Sequence, residues 1–164
     1  MPALAVGATA PEFKLKSLTG DVVSLASLLD RGPAVVVFLK ISCPTCQYAL
    51  PFYERLFQTY KKGKVSLIAV SQNNAEDTAA FALEFGITFP MLTEDIPYAV
   101  SSAYGLTNVP TIFWIEPDGE IAVTSVGWSK ADFETINRKM AEHSAMTAPL
   151  LFRPNEDVRD FRAG

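Results

Sequence analysis

The sequence has 164 residues, of which 49% are hydrophobic and 20% are charged, and its formal net charge is −4. This length fits one ordinary domain with a sizeable core, and the mild acidity gives no reason to expect nucleic acid or an anionic membrane surface as a partner. No apolar run reaches the ~18–20 residues that a membrane-spanning helix needs, so we predict no membrane span.

The beginning of the sequence bears on where the protein works. Residues 1–13, MPALAVGATAPEF, have no basic segment and are interrupted by Gly7 and Pro11, unlike a secretory signal. Two cysteines are also too few for a secreted disulfide scaffold. We therefore predict a cytoplasmic protein, with a periplasmic location as the alternative if a signal or anchor has been removed.

Strand and helix patterns alternate along residues 1–146. In chain order we predict a short strand at 19–25, a short helix at 24–32, a buried strand at 33–40, a helix over 44–62, a buried strand at 64–71, a helix between Asn74 and Gly86, an extended piece at 87–92 and a short helix at 96–105. The strands flanking PDG (117–119) predict a hairpin, and Ser129 begins the last helix. Residues 147–164 are predicted to form an irregular tail, held by Leu150, Leu151 and Phe152.

This alternation predicts an α/β fold, a sandwich of helices around a mixed sheet. Residues 33–40 are almost continuously apolar and rich in valine, as in a central strand covered on both faces. Cys43 then falls where the carboxyl end of that strand meets the start of a helix. In open α/β sheets, ligands and chemistry usually lie at this edge.

Both cysteines, Cys43 and Cys46, lie in the segment KISCPTCQYALP at 40–51. Such a pair can be a redox couple, half of a metal site, a peroxidase nucleophile with an incidental neighbour, or two small buried residues. Unpaired N–H groups and the dipole at a helix N-terminus favour negative charge, and therefore the reactive thiolate of Cys43. Pro44 suits the first helical position. Cys46, one turn later, is placed to attack a mixed disulfide on Cys43, so we predict Cys43 as nucleophile and Cys46 as resolving thiol.

A metal site is disfavoured by the number of ligands. A structural zinc ion takes four, whereas the chain offers two cysteines and His143, which is predicted far away on the last helix. We therefore predict no metal and no other cofactor, because the two cysteines themselves carry two electrons.

Four parts of the sequence resemble one known family, in the right order: VGATAPEFKLKSLTGDVVSLASL, SCPTC, Pro51 in the following helix, and FGITFPMLTEDIPYAVSSAYGLTNVPTIFWIEPDGEIA. Over residues 6–142 the chain resembles the TlpA/ResA-like (redoxin, AhpC/TSA-related) branch of thioredoxin-like thiol:disulfide oxidoreductases. The resemblance implies a thioredoxin-like three-layer sandwich with an N-terminal extension and an inserted helix-containing segment. It implies disulfide exchange with protein or low-molecular-weight thiols, and an upstream dithiol donor such as a thioredoxin-type reductase system.

The resemblance also implies which residues surround the cysteines. Val109-Pro110 is expected to be a cis peptide that faces them and aligns the neighbouring backbone with a substrate polypeptide, as in strand addition. Pro44 and Thr45 are expected to shape the same substrate site. Lys40 is a further candidate, since its ammonium could stabilise a thiolate; the alternative is a solvated lysine at a strand end.

Three positions depart from the family pattern, and they are Lys40, Ser42 and Val37. Ser42 stands where thioredoxins and this branch commonly have Trp, which puts general protein-disulfide reductase activity in doubt. Val37 stands where thioredoxin has a buried acid. A water, or an acid of the insert such as Glu76, Asp77 or Glu94, must then accept the proton of the resolving thiol if that step occurs.

Two other functions stay open. Peroxiredoxins share this fold, and their peroxidatic cysteine would align with Cys46. Their site needs Thr or Ser three residues earlier, Pro seven residues earlier and a downstream Arg, whereas this chain has Cys43, Leu39 and no arginine between Arg55 and Arg138. The second alternative is a redox-regulated binding module whose tail docks a partner.

Overall fold

The computed structural model describes residues 2–164, and its elements follow the expected alternation. The strands are β1 (Lys14–Ser17), β2 (Val22–Ser24), β3 (Ala34–Leu39), β4 (Ser66–Ser71), β5 (Met91–Thr93), β6 (Thr111–Ile115), β7 (Ile121–Val126), β8 (Trp128–Ser129) and β9 (Phe161–Arg162). The helices are α1 (Leu25–Leu29), α2 (Pro44–Tyr60), α3 (Ala75–Phe85), α4 (Ala99–Ala103) and α5 (Lys130–His143). Within residues 2–164, no helix combines the length and apolar composition that crossing a membrane requires.

Seven strands form one sheet in the order β2-β1-β5-β4-β3-β6-β7, and β8 pairs separately with β9. β3, β4 and β5 run parallel, whereas β6 runs antiparallel to β3. The sheet is therefore mixed, as predicted. Because Phe38 lies opposite Thr111, the end of β3 lies beside the start of β6, and the loops at these two points meet at one edge.

Both faces of the sheet are covered. Val35, Val37 and Leu39 pack in one core with side chains of α2, α3 and α5. Val36 and Phe38 face the opposite core, to which α1 contributes. All six residues of β3 are buried, in agreement with its continuous apolar run. This arrangement confirms the predicted three-layer α/β sandwich.

The predicted helix limits are confirmed by their caps. The Asn74 side chain accepts a hydrogen bond from the Asp77 N–H at 2.7 Å at the start of α3, and Gly86 ends that helix with a left-handed φ of 66°. Ser129 caps α5 in the same way, accepting from the Asp132 N–H at 3.2 Å.

Three features of the fold were not predicted. β1 is four residues long and pairs with both β2 and β5. The Ile96–Pro97 peptide is cis, and Tyr98 after it has a φ of 57° at the start of α4. Finally, β8 and β9 form a two-stranded ladder. Strands of two to four residues are too short for a recognisable alternation of apolar and polar residues.

Residues 147–164 are mostly irregular and contact the rest of the protein at several points. Leu151 and Phe152 pack against the core on the α2 side of the sheet, as predicted. Leu150 is 80% exposed, so the prediction that it anchors the tail is wrong. The tail also ends in a regular element, since β9 lies within it.

Polar contacts join the tail to α2. Two guanidinium nitrogens of Arg55 donate to the two carboxylate oxygens of Glu156, each at 2.7 Å. The hydrogen bond from Arg55 lowers the pKa of Glu156 to about 2. Further along, the Arg159 N–H donates to the Tyr48 hydroxyl at 3.0 Å. The tail therefore runs along α2 toward the N-terminus of that helix.

Candidate active site

The loop between β3 and α2 holds Cys43 at the start of the helix. Cys43 is the N-cap of α2, with φ −83° and ψ 116°, and Pro44 is in the first turn. The Cys46 N–H donates to the Cys43 sulfur at 3.2 Å, so this sulfur takes the place of a capping oxygen. The Gln47 side chain donates to the Ile41 carbonyl at 2.9 Å and fixes the loop. The Cys43 sulfur thus lies at the positive end of the helix dipole.

Cys46 lies one turn further along α2 and is buried. Its side chain is 1% exposed and belongs to the core that contains Tyr53 and Trp128. Burial raises the pKa of the Cys46 thiol well above its usual range, and the neighbouring Cys43 adds to that rise. Both thiols are free, and Cys43 is only half-buried. A molecule from solvent therefore reaches the Cys43 sulfur before that of Cys46.

A second loop, which precedes β6, faces the cysteines. The Val109–Pro110 peptide is cis, as expected, and Pro110 is buried. The Cys43 thiol donates to the Val109 carbonyl at 3.3 Å. The Thr111 hydroxyl donates to the Asn108 carbonyl at 2.8 Å, which holds this loop at the start of β6. The two loops therefore meet through a direct contact between a sulfur and a backbone carbonyl.

The other predicted site residues are at the same edge but differ in exposure. Pro44 is exposed. Thr45 is 3% exposed, and its hydroxyl donates to the Ala163 carbonyl at 2.6 Å. Lys40 is exposed and lines a cleft of about 150 Å³ together with Val109. The chemical roles of these residues stay predictions.

The acids of the insert have other partners or face solvent. The carboxylate of buried Glu94 accepts from the Ser101 hydroxyl at 2.6 Å and from the N–H groups of Val100 and Ser101 at 2.5 and 2.9 Å. Glu94 therefore orders the start of α4. Glu76 and Asp77 are exposed in the first turn of α3. The acceptor of the resolving thiol's proton stays a prediction.

Tyr53 is a buried polar residue close to the cysteines, and no role was predicted for it from the sequence. It is 1% exposed, and its hydroxyl has no hydrogen-bond partner among residues 2–164. Burial, followed by the charges of Cys46 and Cys43, raises its pKa well above the usual range. The hydroxyl therefore keeps its proton at neutral pH. The sequence signal that could have identified Tyr53 is its spacing of seven residues from Cys46, which puts the two side chains on one face of α2.

Metal binding finds no support in the geometry. Residues 2–164 contain no group of three or more His, Cys, Asp or Glu side chains placed to hold a metal ion. His143 is the single histidine of the chain. It is exposed at the end of α5, with its ring 5.7 Å from the Trp114 ring.

The peroxidase alternative requires an accessible Cys46 and an available arginine. Cys46 is 1% exposed. Arg55, the arginine of α2, is engaged with Glu156 and donates to the Leu151 carbonyl at 2.9 Å. Both observations favour thiol–disulfide exchange over peroxide reduction.

Comparisons with known proteins bear on the same choice. The sequence matches the model of the AhpC/TSA family over residues 6–124. It is 34% identical over 134 residues to the thiol-disulfide oxidoreductase ResA of Geobacillus kaustophilus, with 80% of this chain and 76% of that protein covered.

Two solved structures have the same thioredoxin-like fold. A putative protein disulfide isomerase from Bacteroides thetaiotaomicron matches with a TM-score of 0.79 at 21% identity, covering 87% of this chain and 94% of that one. A putative thiol:disulfide interchange protein DsbE from Chlorobium tepidum matches with a TM-score of 0.75 at 24% identity, covering 86% and 99%.

Proposed function

The chain belongs to the AhpC/TSA family and to the ResA-like thiol-disulfide oxidoreductases, and from that premise we propose that it exchanges disulfides in two steps. The Cys43 thiolate attacks one sulfur of a substrate disulfide. The substrate S–S bond breaks, one substrate thiolate leaves and takes up a proton, and Cys43 is left in a mixed disulfide.

The second step completes the transfer of two electrons. Cys46 gives up its proton and attacks the Cys43 sulfur, which breaks the mixed disulfide and releases the second substrate thiolate. The substrate is reduced to two thiols, and the protein is oxidised to a Cys43–Cys46 disulfide. The two protons lost by the protein's thiols equal the two gained by the substrate's thiols.

One observation carries this proposal: the position of the Cys43 sulfur between the start of α2 and the cis-proline loop. The sulfur accepts the Cys46 N–H at 3.2 Å, which places it at the first turn of α2, where a substrate disulfide can reach it. The contact of 3.3 Å with the Val109 carbonyl holds the sulfur beside a stretch of backbone. The half-buried Cys43 and fully buried Cys46 support the order of the two steps.

The proposed partners follow from this chemistry. Protein or low-molecular-weight disulfides are the substrates, and a dithiol donor, such as a thioredoxin-type reductase system, returns the protein to its dithiol form. Val109 and Pro110 align the substrate backbone, Pro44 and Thr45 border it, and Lys40 adds positive charge nearby. No metal, nucleotide or flavin takes part, since the thiols carry both electrons.

A redox titration against glutathione buffers tests the proposal. We expect the intact protein to titrate as a single two-electron couple. Its ratio of disulfide to dithiol should change tenfold for each change of about 30 mV in the potential of the glutathione buffer. Cys43→Ser and Cys46→Ser should each abolish this couple, whereas Ser42→Ala, at an exposed neighbouring position, should keep it. Absence of the couple in the intact protein rejects the proposal. Hydrogen peroxide consumption that survives Cys43→Ser but needs Cys46 supports the peroxidase instead.

A further inference from the structure

Residues 160–164, which we call the strap, approach the candidate site as an additional β-strand. Within them β9 pairs antiparallel with β8. The Lys130 N–H donates to the Asp160 carbonyl at 2.9 Å and extends this pairing by one hydrogen bond. The strap therefore docks mainly through its main chain, in the same way that a bound peptide adds a strand to a sheet edge.

The end of the strap reaches residues that flank the cysteines. Its Ala163 carbonyl accepts from the Thr45 hydroxyl at 2.6 Å, which accounts for the burial of Thr45. Its Gly164 carbonyl accepts from the Asn108 side-chain amide at 3.3 Å. The first turn of α2 and the cis-proline loop thus each donate one hydrogen bond to the strap.

Gly164 lies directly against the backbone of the cis-proline loop. A Cβ added to Gly164 would overlap the Val109 carbonyl oxygen and the carbon that bears it. This is the oxygen that accepts from the Cys43 thiol at 3.3 Å. The strap also packs closely at Arg162, because a Cβ added to Gly127 would lie 2.6 Å from the Arg162 carbonyl oxygen. Two glycines therefore permit the approach of the strap to the site.

We propose that the strap is an internal competitor of the substrate. It occupies a docking strip formed by Thr45, Asn108, Val109 and strand β8, and it must leave before a disulfide-containing polypeptide can pair there. The inference rests on the proposed function, because a substrate sulfur within reach of Cys43 brings its own backbone to this strip. The preferred substrate is an extended polypeptide that presents a glycine to Val109, as the strap does.

The strap is built to detach while the chain before it stays bound. The Phe161 side chain is 61% exposed, and Ala163 and Gly164 are exposed as well, so little apolar surface holds the strap in place. The preceding residues have firmer anchors. The Arg159 carbonyl accepts from the Trp128 indole N–H at 2.7 Å, and Glu156 carries the ion pair with α2. Release therefore begins after Arg159.

The test adds bulk to the strap at two adjacent positions of the 164-residue chain. Gly164→Val should displace the strap from Val109. Ala163→Val adds similar bulk, but its side chain is exposed, and Ala163 contacts Thr45 through its backbone carbonyl. We expect Gly164→Val to raise kcat/KM for a peptide with a glycine-flanked disulfide on the order of tenfold, since two hydrogen bonds of ordinary net strength are given up. Ala163→Val should stay within about twofold, and cystamine, which has no backbone to pair, should respond less than the peptide.

A binding measurement without redox chemistry completes the test. The hexapeptide RDFRAG, identical to residues 159–164, should bind Gly164→Val by calorimetry and inhibit its reduction of the peptide disulfide, and RDFRAV should do neither. Equal rates for the three chains, equal acceleration by both variants, or no binding of RDFRAG each overturns the inference. If the glutathione titration finds no Cys43–Cys46 couple, the proposed function fails, and the calorimetry still decides whether the strap occupies the strip.

Discussion

The pH dependence of the second chemical step is a sharp consequence of the buried resolving thiol. Burial raises the pKa of Cys46 well above its usual range, so at neutral pH only a small fraction of this group is the thiolate that attacks. Below its pKa, the thiolate fraction of any thiol rises about tenfold per pH unit, because the pKa defines that ratio. The rate at which Cys46 resolves a mixed disulfide should therefore rise about a hundredfold between pH 6 and pH 8, and should keep rising above the ordinary thiol pKa of about 8.5.

Stopped-flow mixing of the reduced protein with an aromatic disulfide reagent measures this rate. The attack by Cys43 gives a first phase whose rate is proportional to the reagent concentration. The attack by Cys46 releases a second aromatic thiolate in a phase that is independent of that concentration. Cys46→Ser is the control, since it should keep the first phase and lose the second. A second phase whose rate levels off at or below the ordinary thiol pKa of about 8.5 would show that burial does not raise the pKa of Cys46.

Three further predictions concern individual side chains. Glu156→Gln should lower the free energy of unfolding by about 1 kcal/mol at pH 7. Because Arg55 lowers the pKa of Glu156 from 4.5 to about 2, this difference should be complete above pH 4.5 and vanish as the pH falls through about 2. Urea unfolding that gives the same difference at every pH contradicts the prediction. Tyr53→Phe should leave the free energy of unfolding unchanged or raise it by up to about 1 kcal/mol, since the buried hydroxyl has no partner within residues 2–164. A clear loss of stability in urea would refute this. Iodoacetamide at pH 7.5 should modify Cys43 and spare Cys46 in the folded protein, as peptide mass mapping can check; equal labelling is the contrary result.

The sequence predicted those parts of the site whose signals are local. The valine-rich run of β3 and the helix predicted over 44–62 placed both cysteines at a strand-to-helix junction. The resemblance supplied the cis peptide at Val109-Pro110, which no local pattern indicates, because X-Pro bonds in folded proteins are mostly trans.

Contacts between distant parts of the chain could not be predicted in this way. Thr45 and Ala163 are 118 residues apart, and the strap has no apolar pattern, since its hydrogen bonds are made by the main chain. Glu94 was expected as a possible proton acceptor, but its carboxylate caps α4. Propensity and periodicity report which elements form, whereas hydrogen bonds between loops depend on how those elements are finally packed.

Site mapping of a trapped mixed disulfide tests the central claim most directly, namely that Cys43 attacks and Cys46 resolves. The measurement treats Cys46→Ser and Cys43→Ser with the same limiting peptide disulfide, stops the reaction with acid and locates the adduct by mass spectrometry. The account predicts rapid and stable attachment at Cys43 in Cys46→Ser, and slow or no attachment at buried Cys46 in Cys43→Ser. Attachment to Cys46 at a rate equal to that at Cys43 would contradict it.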